Sequence, residues 1–203
     1  MEKIWLKSYP LGVPAEIDYR QHASIGALFE ASAAKFRDRP AYHNMGKAIS
    51  FGDLNRLSRA FGAWLQSRGI AKGARVAVMM PNCLQYPACI FGILRAGCTV
   101  VNVNPLYTAR ELEHQLRDSG AEVIVILENF AHVLQDVIAR TRIKHVVVAA
   151  LGDLLGPKGL LVNFVLRNVK KMVPAYQLPD AQRFNAMIAE GERGALRAVD
   201  VGH

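Results

Sequence analysis

The sequence predicts a doubly wound α/β layer, a mainly parallel sheet with helices on both faces, and three observations predict it. From Arg75 onward, apolar β-branched runs recur as VAVMM, TVVNV, VIVIL and HVVVAA. Segments of helical length separate them, so strand and helix alternate along the chain. The runs are continuous rather than alternating, which implies burial on both faces and therefore a parallel sheet covered by helices. That alternation leaves few topologies other than the doubly wound one.

The first 23 residues carry Trp5, Tyr9 and Tyr19 around Pro10 and Pro14, the pattern of an extended arm laid against a body. Ser24 is placed to cap a helix running to Phe36, with Ile25, Leu28, Phe29 and Phe36 on one face, and Arg39-Pro40 ends it. Residues 41–44 and 47–51, joined by Met45-Gly46, predict a short hairpin. Ser50 with Asp53 three positions on approximates a capping box, and Leu54, Leu57, Phe61, Trp64 and Leu65 recur at helical spacing until Gly69. Between the core strands, helices are expected over 83–95, 110–118 and 130–140, with a short one at 184–190. The organisation is then an arm (1–23), an α/β subdomain (24–151), a basic amphipathic insertion and linker (152–180) and the start of a further segment (181–203). No closing strand is visible before His203, so the chain is expected to be the front of a longer protein.

Composition bounds the function classes. Of 203 residues, 51% are hydrophobic and 21% charged, which is the balance of a globular chain and excludes disorder or a collagen-like rod. Cys83, Cys89 and Cys98 lie inside apolar runs and read as reduced, buried thiols of a cytosolic protein. The N-terminus has Glu2, Lys7 and two prolines where a signal peptide needs an apolar stretch. No window of 18 or more uncharged apolar residues exists, so any membrane contact is peripheral. The net charge of +8 is unevenly placed: residues 154–179 contain Lys158, Arg167, Lys170 and Lys171 and no acid.

That stretch is also the most informative for chemistry. On a helical wheel, residues 160–173 put Leu161, Val162, Val165, Leu166, Val169, Met172 and Val173 on one side. Asn163, Arg167, Lys170 and Lys171 fall on the other, with Leu160 and Phe164 at the border. About 14 residues of basic amphipathic helix cannot span a bilayer but can lie in its interface. The same pattern also suits a helix packed on its own protein with a solvated basic face. Other constellations are weaker. GDLLGPKG has the wrong glycine spacing for a phosphate loop, Pro157 before Lys158, and no hydroxyl after it. The six His are scattered, His114 reads as a solvated surface imidazole, and Cys83 and Cys89 are too far apart for a zinc knuckle. Nothing assigns a metal site or a catalytic nucleophile, and the bases match no nucleic-acid reader. The strand ends at Pro81-Asn82, Asn104-Pro105 and Glu128-Asn129 lie where α/β sheets collect ligands, although Asn and Pro suit those turns anyway.

Specific motifs go further. The run from Arg75 to Val125 contains Met80-Pro81-Asn82, Arg95-Ala96-Gly97, NVNPLYTAR at 102–110, Glu111-Leu112 and Asp118-Ser119-Gly120-Ala121. Preceded by SFGDLNRL (50–57) and AKGARVAV (71–78), it strongly resembles the opening segment of adenylate-forming acyl-CoA synthetases. The arm WLKSYPLGVPAEID and the insertion GPKGLLVNFVLRNVKKMVPAYQLP resemble those of bacterial long-chain fatty-acid–CoA ligases.

The resemblance implies an enzyme that uses ATP and magnesium to form an acyl-adenylate from a fatty acid and then passes the acyl group to coenzyme A. It also implies that the phosphate loop, magnesium-binding glutamate, adenine and ribose motifs and catalytic lysine of the family lie beyond His203. No catalytic, cofactor-binding or metal residue is therefore assigned in this chain, and alone it is expected to be inactive. A medium-chain or aryl acid ligase, or a non-enzymatic membrane-docking module, are the alternatives. For an enzyme of a membrane-partitioning substrate, the interfacial reading of the insertion gains weight. Leu161, Phe164, Val165, Arg167, Val169, Lys170, Lys171 and Met172 are then the expected contacts with an anionic inner-membrane surface, the protein being cytoplasmic and peripheral. No nucleic-acid partner is expected, and the family resemblance makes a homodimer through the aromatic arm plausible.

Overall fold

The computed structural model describes residues 2–201. Five parallel strands form the main sheet: β3 (Arg75–Met79), β4 (Thr99–Asn102), β5 (Val123–Leu127), β6 (His145–Ala149) and β7 (Gln182–Arg183), in the order β4-β3-β5-β6-β7. Val76 pairs with Val100 on one side and Val123 on the other, which makes β3 central. Alternate residues of β3 enter separate cores. Val76 and Val78 face one helical layer while Ala77 and Met79 face the other, so burial on both faces explains the unbroken apolar run.

The larger core lies under α1 (Ile25–Lys35), α2 (Phe51–Ser67), α3 (Gln85–Arg95) and α7 (Phe184–Glu192); α4 (Ala109–Ser119) and α5 (Ala131–Gln135) cover the other face. Caps hold the helix starts. Ser50 and Asp53 form a full capping box, Thr108 and Glu111 form a second, and Ser24 accepts the Ala27 N–H. The hairpin β1 (Pro40–Asn44) and β2 (Lys47–Ser50) turns through Met45 and Gly46, both at positive φ, the backbone a tight two-residue hairpin needs. Arg95 ties the first three helices together. Its buried guanidinium meets Glu30 at 2.9 Å and donates to Asn55 and Ser58.

Several expectations need correction. The N-terminal arm is not laid against the body: among the described side chains of residues 2–24 none is buried, and Trp5 and Tyr9 are about half exposed. Ile25 and Leu28 also face solvent, because Phe29 and Ala33 supply the buried face of α1. The helix expected over 130–140 breaks into α5 and a 3-10 turn, Ile138–Arg140, because Val137 leaves helical geometry. A fifth strand, missed in the sequence, joins the sheet where Gln182 and Arg183 pair with Val147 and Val148. The helix expected over 160–173 is α6 (Pro157–Phe164) continued by a π-helical turn, Val165–Val169, and Lys171 at φ 50 ends it.

Close backbone approach decides how α7 seats on α2. A Cβ on Gly191 would lie 2.0 Å from the Ala60 carbonyl oxygen, a contact only backbone movement could relieve. Gly191→Ala is therefore expected to lower the unfolding free energy by about 1–3 kcal/mol, read as a lower urea midpoint at unchanged slope. An unchanged midpoint would mean that α7 contributes little to this layer.

Candidate functional site at the carboxyl edge of the sheet

The strand order reverses beside β3: the chain runs outward to β4, then crosses back to β5 on the other side of β3. In open α/β sheets such a switch point opens a crevice outside the carboxyl ends of the flanking strands, where ligands collect. Here the flanking ends are Met80-Pro81-Asn82 and Glu128-Asn129. A charge cluster occupies this edge. Glu128 is almost wholly buried, and a buried carboxylate must be paired to remain charged. Arg167 donates to it through Nε at 2.9 Å and Nη2 at 2.7 Å, and Arg183 adds a third bond at 3.1 Å. The Glu128 hydrogen bonds hold the Arg167 guanidinium above its ordinary value. Tyr176 Oη accepts from Arg183, extending the network into the linker.

Asp153 lies in the same electrostatic neighbourhood. Its carboxylate accepts the Ala150 N–H at 2.7 Å just past β6, and burial raises its pKa despite that bond. Gln85, fully buried at the start of α3, donates to the Ala150 carbonyl at 2.8 Å while its Oε1 has no partner. The remaining strand-end residues mostly do turn work. Asn104 Oδ1 accepts the Leu106 N–H, and the Asn82 carbonyl accepts from Asn44. Asn129 Nδ2 donates to the Met172 carbonyl at 2.8 Å.

Little here can react. An apolar crevice of ≈ 460 Å³ opens beside Asn82, lined by Tyr42, His43, Leu84, Tyr86 and Phe91. Its thiol, Cys83, is pushed up by burial, as is Cys89, and Cys98 is pushed up to about 11. Such thiols are poor nucleophiles at neutral pH. His114 is exposed on α4. Among the described residues no three His, Cys, Asp or Glu side chains converge on a metal position. The GDLLGPKG loop does not fit a phosphate. Gly159 lies so near Gly152 that a Cβ would fall 1.9 Å from the Gly152 carbonyl, and Asn163 accepts the Gly152 N–H that a cradle would need free.

The insertion residues singled out in the sequence are not arranged as the wheel implied. Asn163 and Arg167, expected on an outer basic face, turn inward to Gly152 and Glu128. The correction for Arg167 has a simple cause: the buried Glu128 carboxylate outcompetes solvent for its guanidinium. Leu161, Phe164, Val169 and Met172 are exposed, Val165 is half-buried, and Lys170 and Lys171 lie exposed at the helix end. The sequence reading did not single out Arg183, which carries no pattern beyond an isolated charge.

Residues 29–176 match the family model described as AMP-binding enzyme. Over 195 residues the chain is 54% identical to a long-chain-fatty-acid–CoA ligase of Yersinia pestis, covering 95% of this chain and 35% of that protein. A ligase of the same description from Bacillus subtilis is 42% identical over 127 residues. The chain thus spans about a third of the length of the first of these curated relatives. In fold it resembles the crystal structure of a long-chain-fatty-acid–CoA ligase from Archaeoglobus fulgidus, with a TM-score of 0.66 over 96% of this chain at 20% identity.

Two outcomes test the edge cluster. Glu128→Gln leaves two arginines short of a counter-charge, and is expected to cost about 1–3 kcal/mol in urea unfolding and to speed hydrogen exchange across residues 157–169. Asp153 carries the opposite sign. Its folded pKa lies above its unfolded value, so its contribution is fully present in acid and is lost as pH rises through the folded pKa. Asp153→Asn keeps an acceptor for the Ala150 N–H; the variant should exceed the wild type in stability at neutral pH and converge with it in acid.

Proposed function

The chain belongs to the AMP-binding enzyme family, and we propose that it forms the N-terminal scaffold of a long-chain fatty-acid–CoA ligase. In that reading the full-length enzyme joins a fatty acid to the AMP moiety of ATP, releasing pyrophosphate, and transfers the acyl group to the thiol of coenzyme A. The observation that carries it is 54% identity maintained across 95% of this chain, arm and insertion included. A long-chain acid is favoured because the relatives at 53–54% identity over 95% of this chain carry that substrate in their names.

The role of these residues is mechanical. The five-stranded sheet and its two helical layers build the floor on which nucleotide- and acyl-binding groups of the whole enzyme are mounted, and the switch-point edge is sealed by Glu128, Arg167 and Arg183.

A chimaera tests this. Substituting the present chain for the matching 195 residues of the Yersinia pestis ligase should give a soluble protein that forms long-chain acyl-CoA within about tenfold of the parent rate, and none when ATP, fatty acid or coenzyme A is omitted. The 203-residue chain by itself should form no acyl-adenylate. A folded but inert chimaera, or adenylation by the chain alone, would count against the proposal.

A further inference from the structure

From Arg56 to Arg68, α2 fastens the last part of the chain to the helical layer. Arg56 pairs with Glu192, the Trp64 indole donates to Gln182 at 3.1 Å, and Arg68 meets Glu190 at 2.7 Å, so β7 and α7 are held by side chains on side chains. Past α7 the contact changes in kind. Residues 195–200 have no regular structure, yet two of them are seated. Leu196 lies where Gly62 and Gly92 bring α2 and α3 together, and a Cβ on Gly62 would fall 2.9 Å from its Cδ1. Val199 lies on Gly97, just past α3, where a Cβ would come within 2.6 Å of its Cγ1. Between these two glycine notches Gln66 takes hold of the main chain. Its Nε2 donates to the Arg197 carbonyl and its Oε1 accepts the Arg197 N–H, both at 2.9 Å.

A carboxamide carries both donors and an acceptor, so one Gln can satisfy the two main-chain groups of a residue whatever its side chain. The apolar anchors are three positions apart, which in extended chain spans about 10 Å. These contacts add little to the core: Leu196 and Val199 are half-buried and Arg197 is exposed, so the apolar area at stake is small. What they fix is a path. It runs from the α2–α3 crossing to Gly97, two residues before β4, and so toward the end of the sheet opposite Glu128.

We infer that Gln66 is a positioning residue: by holding Arg197 between the two glycine notches it sets the line on which the chain leaves the scaffold, and with it the placement of the groups the whole enzyme mounts beyond this layer. The inference rests on the ligase reading, in which this chain is about a third of the enzyme's length.

Two measurements test it. Hydrogen exchange on the 203-residue chain reads the hold itself: the Arg197 amide should exchange at least about tenfold faster in Gln66→Ala, while amides of β3 keep their rates. Kinetics in the Yersinia pestis chimaera read the consequence. Gln66→Ala should lower kcat by about tenfold, with KM for ATP and fatty acid within about twofold and the urea midpoint unchanged. Gln66→Glu keeps the acceptor for the Arg197 N–H but loses the donor, and should fall between the two. Leu196→Ser should reproduce the loss, and the double variant Gln66→Ala/Leu196→Ser should be no worse than either single one, since both act through one segment. An Arg197 amide that exchanges at the free-chain rate in the unsubstituted chain overturns the inference, as does a kcat that Gln66→Ala leaves unchanged. A urea midpoint that falls together with kcat would assign Gln66 to stability alone and equally overturn it. A chimaera that is folded and inert before any further substitution sinks the ligase reading and this inference with it, whereas an active one indifferent to Gln66→Ala sinks the inference alone.

Discussion

One buried carboxylate constrains much of what is distinctive here. Glu128 ends β5, at the strand where the sheet reverses its order, and it lies where water cannot stabilise its charge. A carboxylate in that position requires cationic donors with good geometry, and removing either side costs more than the pair contributes. Arg167 lies 39 residues downstream and Arg183 lies 55, so satisfying Glu128 brings the insertion and the two-residue edge strand to the same spot. The orientation of α6 follows. Once Arg167 must face Glu128, the residues one turn earlier on that stripe, Asn163 and Gly159, face the body too. Val162 still reaches the main core, while Leu160, Leu161, Phe164 and Val169 are left on the outer side.

Backbone proximity complements that charge constraint. Gly152 against Gly159, and Gly191 against Ala60, are places where two main chains come too near for any side chain. These contacts let α6 and α7 sit directly on the loop after β6 and on α2, and they bring hydrogen-bonding groups such as Asn163 within reach of backbone amides. Glycines that suggested a phosphate cradle are therefore spent on packing. The same packing brings Arg167 and Arg183 to the β5 end of the sheet's carboxyl edge, beside Glu128.

What could be read from the sequence was what local physics determines. Continuous VIVIL-type runs announce a strand buried on two faces, and Ser50 with Asp53 announces a helix start whatever surrounds them. The misses all involve a partner distant in sequence. Gln182 and Arg183 form a strand only because β6 offers them an edge, and two polar residues carry no periodicity to reveal it. The break at Val137 is likewise invisible to a helical wheel. Amphipathicity of 160–173 was correctly perceived, but a wheel cannot say which face meets the protein. That choice belongs to Glu128, and the isolated acid after an apolar strand was the one available signal. The aromatic arm was misread for the same reason: side chains able to pack do so only where a surface is offered.

Packing tolerance also explains the pattern of likeness. Solved structures that share 17–20% identity still share the layer at TM-scores of 0.66–0.69, because a buried parallel sheet tolerates any set of β-branched residues that fills its two cores. Such likeness establishes architecture and is silent on substrate. The solvent-facing Leu160, Leu161, Phe164 and Val169 contribute nothing evident to that architecture, and polar residues could replace them at little cost in stability. Long-range packing therefore accounts for the polar stripe of α6 and for Val162 in the core, and it leaves those four as the part of the insertion that this layer does not use.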